Sequence, residues 1–266
     1  MHSPSAFRLL MLGVALVALP DARADAEQPG HATVRIAVAA NFRLTLDRLT
    51  AAFEAQRPVK IVVSAGASGL LYGQIVQGAP FDLFFSADAA RPARLEQDGL
   101  IVPGSRFAYA VGRLALWRPG LPWRGSIEAA LRAPDVRTVA LANPATAPYG
   151  QAATQVLERL GVADDAAFRL VRGESIGQTF QFLASGNADL GFVALAQLVE
   201  FDALNGRTAQ SEAHVVDVTL HEPIVQEAVW LKRSRTNAAA GDFLGFVQNQ
   251  GRAIIVAAGY AVPTSD

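Results

Sequence analysis

Short apolar runs alternate with segments of helical periodicity along most of the chain. Residues 34–39 form an apolar run broken only by one arginine, and Leu46, Leu49 and Phe53 then recur at helical spacing. A second run at 59–63 is followed by a helical segment in the same way. Strands that alternate with helices predict an α/β fold with mainly parallel sheets flanked by helices.

A second set of alternating strands and helices begins after the middle of the chain. Residues 138–142 and 190–193 are predicted strands, and 150–160 is a predicted helix that follows a proline-bearing loop. Residues 224–231 are again apolar, and we predict a strand there that carries the chain back to the first set.

Two α/β sets joined by more than one crossing predict a two-lobed clam-shell. Such a shell binds its ligand in the cleft between the lobes and closes about a hinge. We expect the first lobe to comprise 33–108 and 224–266, and the second lobe to comprise 109–223.

The N-terminus has the layout of a secretory signal peptide. Arg8 precedes an apolar run at 9–19, and Ala22-Arg23-Ala24 provides a cleavage site of the small-x-small kind. The run is shorter than the ~20 apolar residues of a membrane-spanning helix. We therefore expect residues 1–24 to be removed on export, leaving a soluble mature protein in the periplasm.

Composition narrows the possible partners. The chain has no cysteine, which excludes disulfides, thiolate metal sites and a lipid anchor on a cysteine after the cleavage site. The formal net charge is -1, so nucleic acid is not an expected partner. A protein that binds a dianion through lysine and arginine would be more basic than this one.

Four loops share one property, because each ends a predicted strand and begins a predicted helix. Ligands of α/β sheets sit outside the carboxyl ends of the strands. A helix start there presents unpaired N–H groups and a partial positive charge, which together make a ready anion site. The loops are Ala40-Asn41, Ala67-Ser68-Gly69, Pro148-Tyr149-Gly150 and Ser175-Ile176.

Several segments together resemble the periplasmic molybdate-binding proteins of ABC transporters. The resemblance runs in order over the chain beyond residue 33, and its most specific segment is 78–88. The segments are 38–42 (VAANF), 64–69 (SAGASG), 78–88 (GAPFDLFFSAD), 187–193 (NADLGFV) and 259–263 (GYAVP).

The resemblance implies a type II periplasmic-binding-protein fold and a binding function, not an enzyme. The implied ligand is molybdate or tungstate, so the only metal expected is the molybdenum or tungsten of the oxyanion, and no cofactor is expected. The implied partner is an ABC permease in the inner membrane, which is bound transiently by a monomer.

The resemblance also implies the ligand contacts. They fall on Ala40, Asn41, Ser68, Tyr149 and Ile176. Asn41 and Ser68 would donate from side chain and backbone, and the others from backbone N–H groups. One position departs from the pattern, since some members have a tyrosine where this chain has Ala194, and Tyr149 is expected to compensate.

Other interpretations of the same residues stay open at this point. Asn41 and Ser175 could be ordinary helix N-caps. Asp82 and Asp88 could suggest a metal or an acid–base pair, but a structural carboxylate and an N-cap are expected there. A binding protein for another oxyanion such as sulfate is an alternative. A serine hydrolase is a weaker one, because Ser68 lacks the Gly-x-Ser-x-Gly elbow.

Overall fold

The computed structural model describes residues 32–162 and 167–263 of the 266-residue chain. The predicted signal peptide lies outside the described residues. Within those two ranges, no helix combines the length and the hydropathy that crossing a bilayer requires.

The described residues form two five-stranded sheets with helices around them. The strands are β1 (Ala32–Ala39), β2 (Val59–Gly66), β3 (Leu83–Phe85), β4 (Phe107–Gly112), β5 (Leu114–Trp117), β6 (Thr138–Ala142), β7 (Arg169–Gly173), β8 (Leu190–Ala194), β9 (Ala213–Val215) and β10 (Ile224–Trp230). The α-helices are α1 (Arg43–Glu54), α2 (Ser68–Val76), α3 (Ala90–Gln97), α4 (Ile127–Leu131), α5 (Pro148–Arg159), α6 (Ile176–Ala184), α7 (Leu195–Asn205), α8 (Ala238–Asn249) and α9 (Arg252–Ala257).

The first sheet has the strand order β2-β1-β3-β10-β4. Strand β1 pairs in parallel with β2 and β3, whereas β10 is antiparallel to both of its neighbours. Four strands therefore run in one direction, and only β10, which enters from the other sheet, opposes them.

The second sheet repeats this arrangement, with the order β7-β6-β8-β5-β9. Here β6 pairs in parallel with β7 and β8, and β5 is antiparallel to β8 and β9. Strand β5 is again the one that follows a crossing between the sheets. The predicted two-lobed α/β fold with mainly parallel sheets is confirmed.

The chain passes between the two sheets twice, at Arg113 and again between β9 and β10. The second passage coincides with the predicted boundary at 223/224. The predicted boundary at 108/109 falls inside β4, which pairs with β10 in the first sheet. The lobe division stays a prediction, and we propose to place its first boundary at Arg113.

Aromatic packing holds the end of β1 in the first lobe. The ring centroid of Phe42 lies 4.5 Å from that of Tyr109 and 5.4 Å from that of Tyr260. Tyr260 reaches this place because Val111 and Ala261 exchange backbone hydrogen bonds, which tie the C-terminal segment to β4. The segment after β1 therefore rests on a rigid aromatic base.

Candidate ligand-binding site

The four loops singled out from the sequence meet at one small cavity. Its lining comes from both lobes and consists of Ala39, Ala40, Asn41, Gly66, Ala67, Ser68, Ala87, Ala147, Pro148, Tyr149 and Ile176. All five predicted contact residues are in this set. Their role in binding a ligand stays a prediction, but their convergence is a structural fact.

Three of the helical starts at the cavity have alanine as the N-cap residue. Ala39 precedes a short 3-10 turn at Ala40–Phe42, Ala67 precedes α2 and Ala147 precedes α5, and none provides a side-chain cap. Alanine is among the least favourable N-caps, since its side chain cannot accept a hydrogen bond from the first N–H groups. Three neighbouring helical starts without a side-chain cap are suited to an anion.

The fourth start, at α6, has a side-chain cap. Ser175 accepts a hydrogen bond from the backbone N–H of Gln178 at 3.2 Å, which confirms its interpretation as an N-cap. Ile176 is the first residue of α6 and lines the cavity. The N–H groups of a helix's first turn have no partner within the helix. That of Ile176 is therefore a candidate donor.

Ser68 is the first residue of α2 and is 1% exposed. Its Oγ accepts a hydrogen bond from the backbone N–H of Ala87 at 2.9 Å. This bond fixes the position of the oxygen and leaves the hydroxyl proton to be donated. Ala87, which the sequence analysis did not select, therefore positions Ser68 at the cavity wall.

Asn41 does not cap a helix. It lies inside the 3-10 turn, is 4% exposed, and makes no side-chain cap. Its Nδ2 donates to Gln226 Oε1 at 2.9 Å and to Tyr260 Oη at 3.1 Å, while the Tyr260 hydroxyl donates to the Asn41 carbonyl at 2.7 Å. Its Oδ1 is buried and has no hydrogen-bond partner among the described residues.

Tyr149 comes from the second lobe, where it is the second residue of α5 and 1% exposed. Its hydroxyl accepts a hydrogen bond from Gln226 Nε2 at 3.2 Å. Burial raises the pKa of this hydroxyl, so it stays neutral at physiological pH. Gly112 makes room for it, because a Cβ at that position would overlap the tyrosine oxygen.

Among the described residues, none that lines the cavity has a charged side chain. Asp82 Oδ2 accepts the backbone N–H of Arg35 at 2.6 Å, so it is a structural carboxylate as expected. Asp88 accepts the N–H of Arg91 at 3.0 Å in the first turn of α3 and pairs with the Arg91 guanidinium. Within 32–162 and 167–263, no cluster of three or more potential metal ligands occurs.

The lobes are in contact across the cleft. The Gly69 N–H donates to the Thr146 carbonyl at 2.9 Å, and the Thr45 hydroxyl of α1 donates to Glu200 of α7 at 2.8 Å. The bond between Gln226 and Tyr149 also joins the first sheet to the second lobe. This is the arrangement expected of a closed clam-shell.

The polar residues behind the cavity wall were not predicted from the sequence. Gln226 is fully buried in β10, and Tyr109 and Tyr260 are 3% and 4% exposed. A glutamine inside an otherwise apolar strand was a usable signal, since a buried amide requires partners. Ala194 is buried at the start of α7 and does not line the cavity.

Comparison with known proteins places the chain in a family. The sequence profile of the family described as "Bacterial extracellular solute-binding protein" matches residues 34–261. The chain belongs to this family. It is also 40% identical to the molybdate-binding protein of Azotobacter vinelandii over 87% of this chain and 90% of that one. Identity to the molybdate-binding protein of Rhodobacter capsulatus is 42%, over 80% of this chain and 81% of that one.

Solved structures agree with these sequence matches. The periplasmic molybdate-binding protein of Azotobacter vinelandii superposes with a TM-score of 0.79 at 41% identity, over 87% of this chain and all of that one. The sulfate-binding protein of Mycobacterium tuberculosis superposes with a TM-score of 0.69 at 16% identity, over 87% of each chain, which shows the fold alone. The resemblance stated from the sequence motifs is confirmed.

Proposed function

We propose that this family member captures molybdate or tungstate in the periplasm and delivers it to the permease of an ABC importer. The anion sits between the lobes and is held by neutral hydrogen bonds from Asn41, Ser68 and the backbone N–H groups of Ala40, Tyr149 and Ile176. The protein binds and releases the anion unchanged and acts as a monomer without a cofactor.

The observation that carries this proposal is a cavity at uncapped helical starts, whose lining in the described part of the chain is uncharged. Unpaired backbone donors stabilise a buried anion without a counter-charge that would itself need desolvation. The two relatives at 40–42% identity are named molybdate-binding proteins, and they indicate that the anion is molybdate. Closure around it would form the surface that the permease recognises.

The two alternatives are less well supported. A hydrolase needs a base near its nucleophile, and the described residues that line the cavity beside Ser68 include no histidine, lysine or carboxylate. A sulfate binder could use the same helix-start donors, but the sulfate-binding structure that superposes is only 16% identical to this chain.

Calorimetry tests the proposal. The mature protein is titrated separately with molybdate, tungstate, sulfate and phosphate at neutral pH. We expect tight binding of molybdate and tungstate and binding of sulfate and phosphate weaker by at least about a hundredfold, because a cavity sized for the larger tetrahedron holds sulfate loosely. Equal affinity for sulfate and molybdate, or no binding of molybdate, would contradict it.

A pair of variants shows where binding takes place. Asn41→Ala removes a polar side chain from the cavity wall, and we expect it to weaken molybdate binding by about tenfold to a hundredfold. Asn249→Ala is the matched control, because Asn249 is exposed at the end of α8 and its side chain donates to the Gly245 carbonyl, away from the cavity lining. Its affinity should equal that of the wild type.

A further inference from the structure

A buried polar network lies directly behind the Asn41 wall of the cavity. It contains two side-chain amides, Asn41 and Gln226, and three hydroxyls, those of Tyr109, Tyr149 and Tyr260. All five side chains are at least 95% buried. Groups that are this inaccessible to water must satisfy one another or a ligand.

One orientation of the two amides leaves the network incomplete. When Asn41 Nδ2 points at Gln226 and Tyr260, Oδ1 has no donor, although it belongs to a residue of the cavity wall. Gln226 Nε2 then donates to Tyr149, and within the described residues the Tyr149 hydroxyl proton has no acceptor. The single proton of Tyr109 also faces two acceptors, the Ser86 carbonyl and Gln226 Oε1, each at 3.0 Å.

Rotation of both amides by about 180° exchanges their oxygen and nitrogen atoms within the same volume. Gln226 then donates to Asn41 Oδ1 and to the Tyr109 hydroxyl, and Tyr109 donates to the Ser86 carbonyl. Tyr149 donates to Gln226 Oε1. One acceptor still lacks a donor from Tyr260, because the single hydroxyl proton of Tyr260 can be donated either to the Asn41 carbonyl or to Asn41 Oδ1. The Asn41 NH2 group then takes the place of the unpartnered oxygen and keeps an N–H to donate to a ligand.

We propose that Gln226 is a positioning residue that turns the Asn41 amide so that its NH2 group faces the bound anion. This inference rests on the proposed function and deepens it. Gln226 does not line the cavity. It acts through Asn41 and, since its other end bonds to Tyr149 of the second lobe, it locks the amide when the lobes close.

The orientation of Asn41 determines which oxyanions fit. With NH2 inward, the Asn41 side chain offers the anion only donors, which suits an oxyanion that carries no proton, such as molybdate, tungstate or sulfate. Hydrogen phosphate carries a proton that needs an acceptor, and a buried donor without an acceptor is costly. With Oδ1 inward, the cavity would instead favour the protonated anion and repel the unprotonated one.

Two substitutions of Gln226 separate positioning from simple packing. Gln226→Glu replaces both N–H donors with a carboxyl group that, when ionised, only accepts, so Asn41 donates to it and turns Oδ1 inward. Gln226→Met removes the orienting bonds without imposing the reverse orientation. We expect Gln226→Glu to weaken molybdate binding by on the order of a hundredfold and Gln226→Met by about tenfold. The ratio of phosphate to molybdate affinity should rise in Gln226→Glu.

Glu227→Gln is the matched control on the same strand. Glu227 is not one of the residues that line the cavity, and it pairs with Arg106 at 2.9 Å. We expect this variant to bind molybdate as the wild type does. Thermal unfolding of each variant checks that it is folded before its affinity is measured.

NMR of the wild type reads the orientation directly, even if a Gln226 variant does not fold. The side-chain amide resonances of 15N-labelled protein are assigned with Asn41→Ala and followed during addition of molybdate. A large shift and slowed exchange of the Asn41 NH2 protons, with those of Asn249 unchanged, supports the proposal.

The outcomes separate this inference from the proposed function. If the wild type does not bind molybdate, the proposed function fails. If it binds molybdate but the Asn41 NH2 resonances do not respond, the positioning role is overturned. Folded Gln226→Glu and Gln226→Met variants that keep the wild-type affinity within twofold would overturn it as well.

Discussion

The backbone N–H of Gly69 and the backbone carbonyl of Thr146 form a 2.9 Å hydrogen bond that joins the start of α2 in the first lobe to the loop before α5 in the second. A Cβ on Gly69 would lie 3.0 Å from the Thr146 Cα and 2.9 Å from the Arg91 Nη2. The φ angle of Gly69 is not positive, so its backbone conformation does not require glycine. Glycine is required at position 69 because the two lobes approach each other closely there.

We therefore predict that Gly69→Ala hinders closure without unfolding the protein. A methyl group in so tight a contact costs about 1–3 kcal/mol in the closed state, whereas an open cleft has room for it. Calorimetry should show molybdate affinity reduced by about tenfold to a hundredfold. The unfolding temperature of the ligand-free protein should change little.

Gly73→Ala is the control on the same helix. A Cβ at Gly73 meets nothing within 4 Å, and alanine is a better helix former than glycine. This variant should bind as the wild type does and should be slightly more stable. Equal affinities of the Gly69→Ala and Gly73→Ala variants would show that the contact with Thr146 does not govern closure.

The buried carboxyl of Glu200 predicts a pH-dependent stability. Burial raises its pKa, the hydrogen bond from Thr45 and the charge of Arg48 oppose this rise, and Asp47 adds to it. A raised pKa in the folded protein means that the protonated form is favoured there, so this group's contribution to stability falls as pH rises through that pKa.

Glu200→Gln tests this sign, because glutamine keeps an oxygen for the Thr45 hydroxyl and cannot ionise. We expect the variant to match the wild type at low pH, where Glu200 is protonated, and to exceed it in free energy of unfolding by a margin that grows as pH rises through the raised pKa of Glu200. Urea unfolding across this range measures the difference. Glu158→Gln on the exposed face of α5 is the control, and a Glu200→Gln difference that does not vary with pH would contradict the prediction.

Ser68→Ala is predicted to affect binding and stability together. Its Oγ is the acceptor for the Ala87 N–H, and the loss of a buried acceptor costs about 1–3 kcal/mol. We expect a lower unfolding temperature, weaker molybdate binding, and no ester hydrolysis by either the variant or the wild type. Ser185→Ala at the exposed end of α6 is the control. Ester hydrolysis by the wild type that is lost in Ser68→Ala would contradict this prediction and support the hydrolase alternative.

Periodicity predicted the strands and helices with long, unambiguous patterns. The predicted strand at 138–142 matches β6, and the predicted helix at 150–160 overlaps α5, which Pro148 starts two residues earlier. Strand β5 and the short β9 were not predicted. Strand β5 follows the passage of the chain from the first sheet to the second, and it pairs with β8 and β9, which are distant in sequence. Such pairing determines the conformation there more than the local pattern of apolar residues does.

The loops of the candidate site were predictable because helix starts at the ends of parallel strands are visible in the sequence. The buried polar network behind these loops was not predictable. Gln226 lies 185 residues from Asn41 and Tyr260 lies 219 residues from it, and only the return of β10 and of the C-terminal segment brings them together. Long-range contacts of this kind depend on topology and leave no local signal beyond an unexpected polar residue.

A crystal structure of the mature protein with tungstate tests the central claim most directly, because tungsten scatters anomalously and marks the position of the anion. We predict a single strong anomalous peak in the cavity between the lobes. The oxygens of the anion should lie within about 2.7–3.2 Å of the backbone or side-chain donors of Ala40, Asn41, Ser68, Tyr149 and Ile176. A peak beside arginine or lysine side chains outside the cleft, with the cavity occupied only by water, would contradict the account.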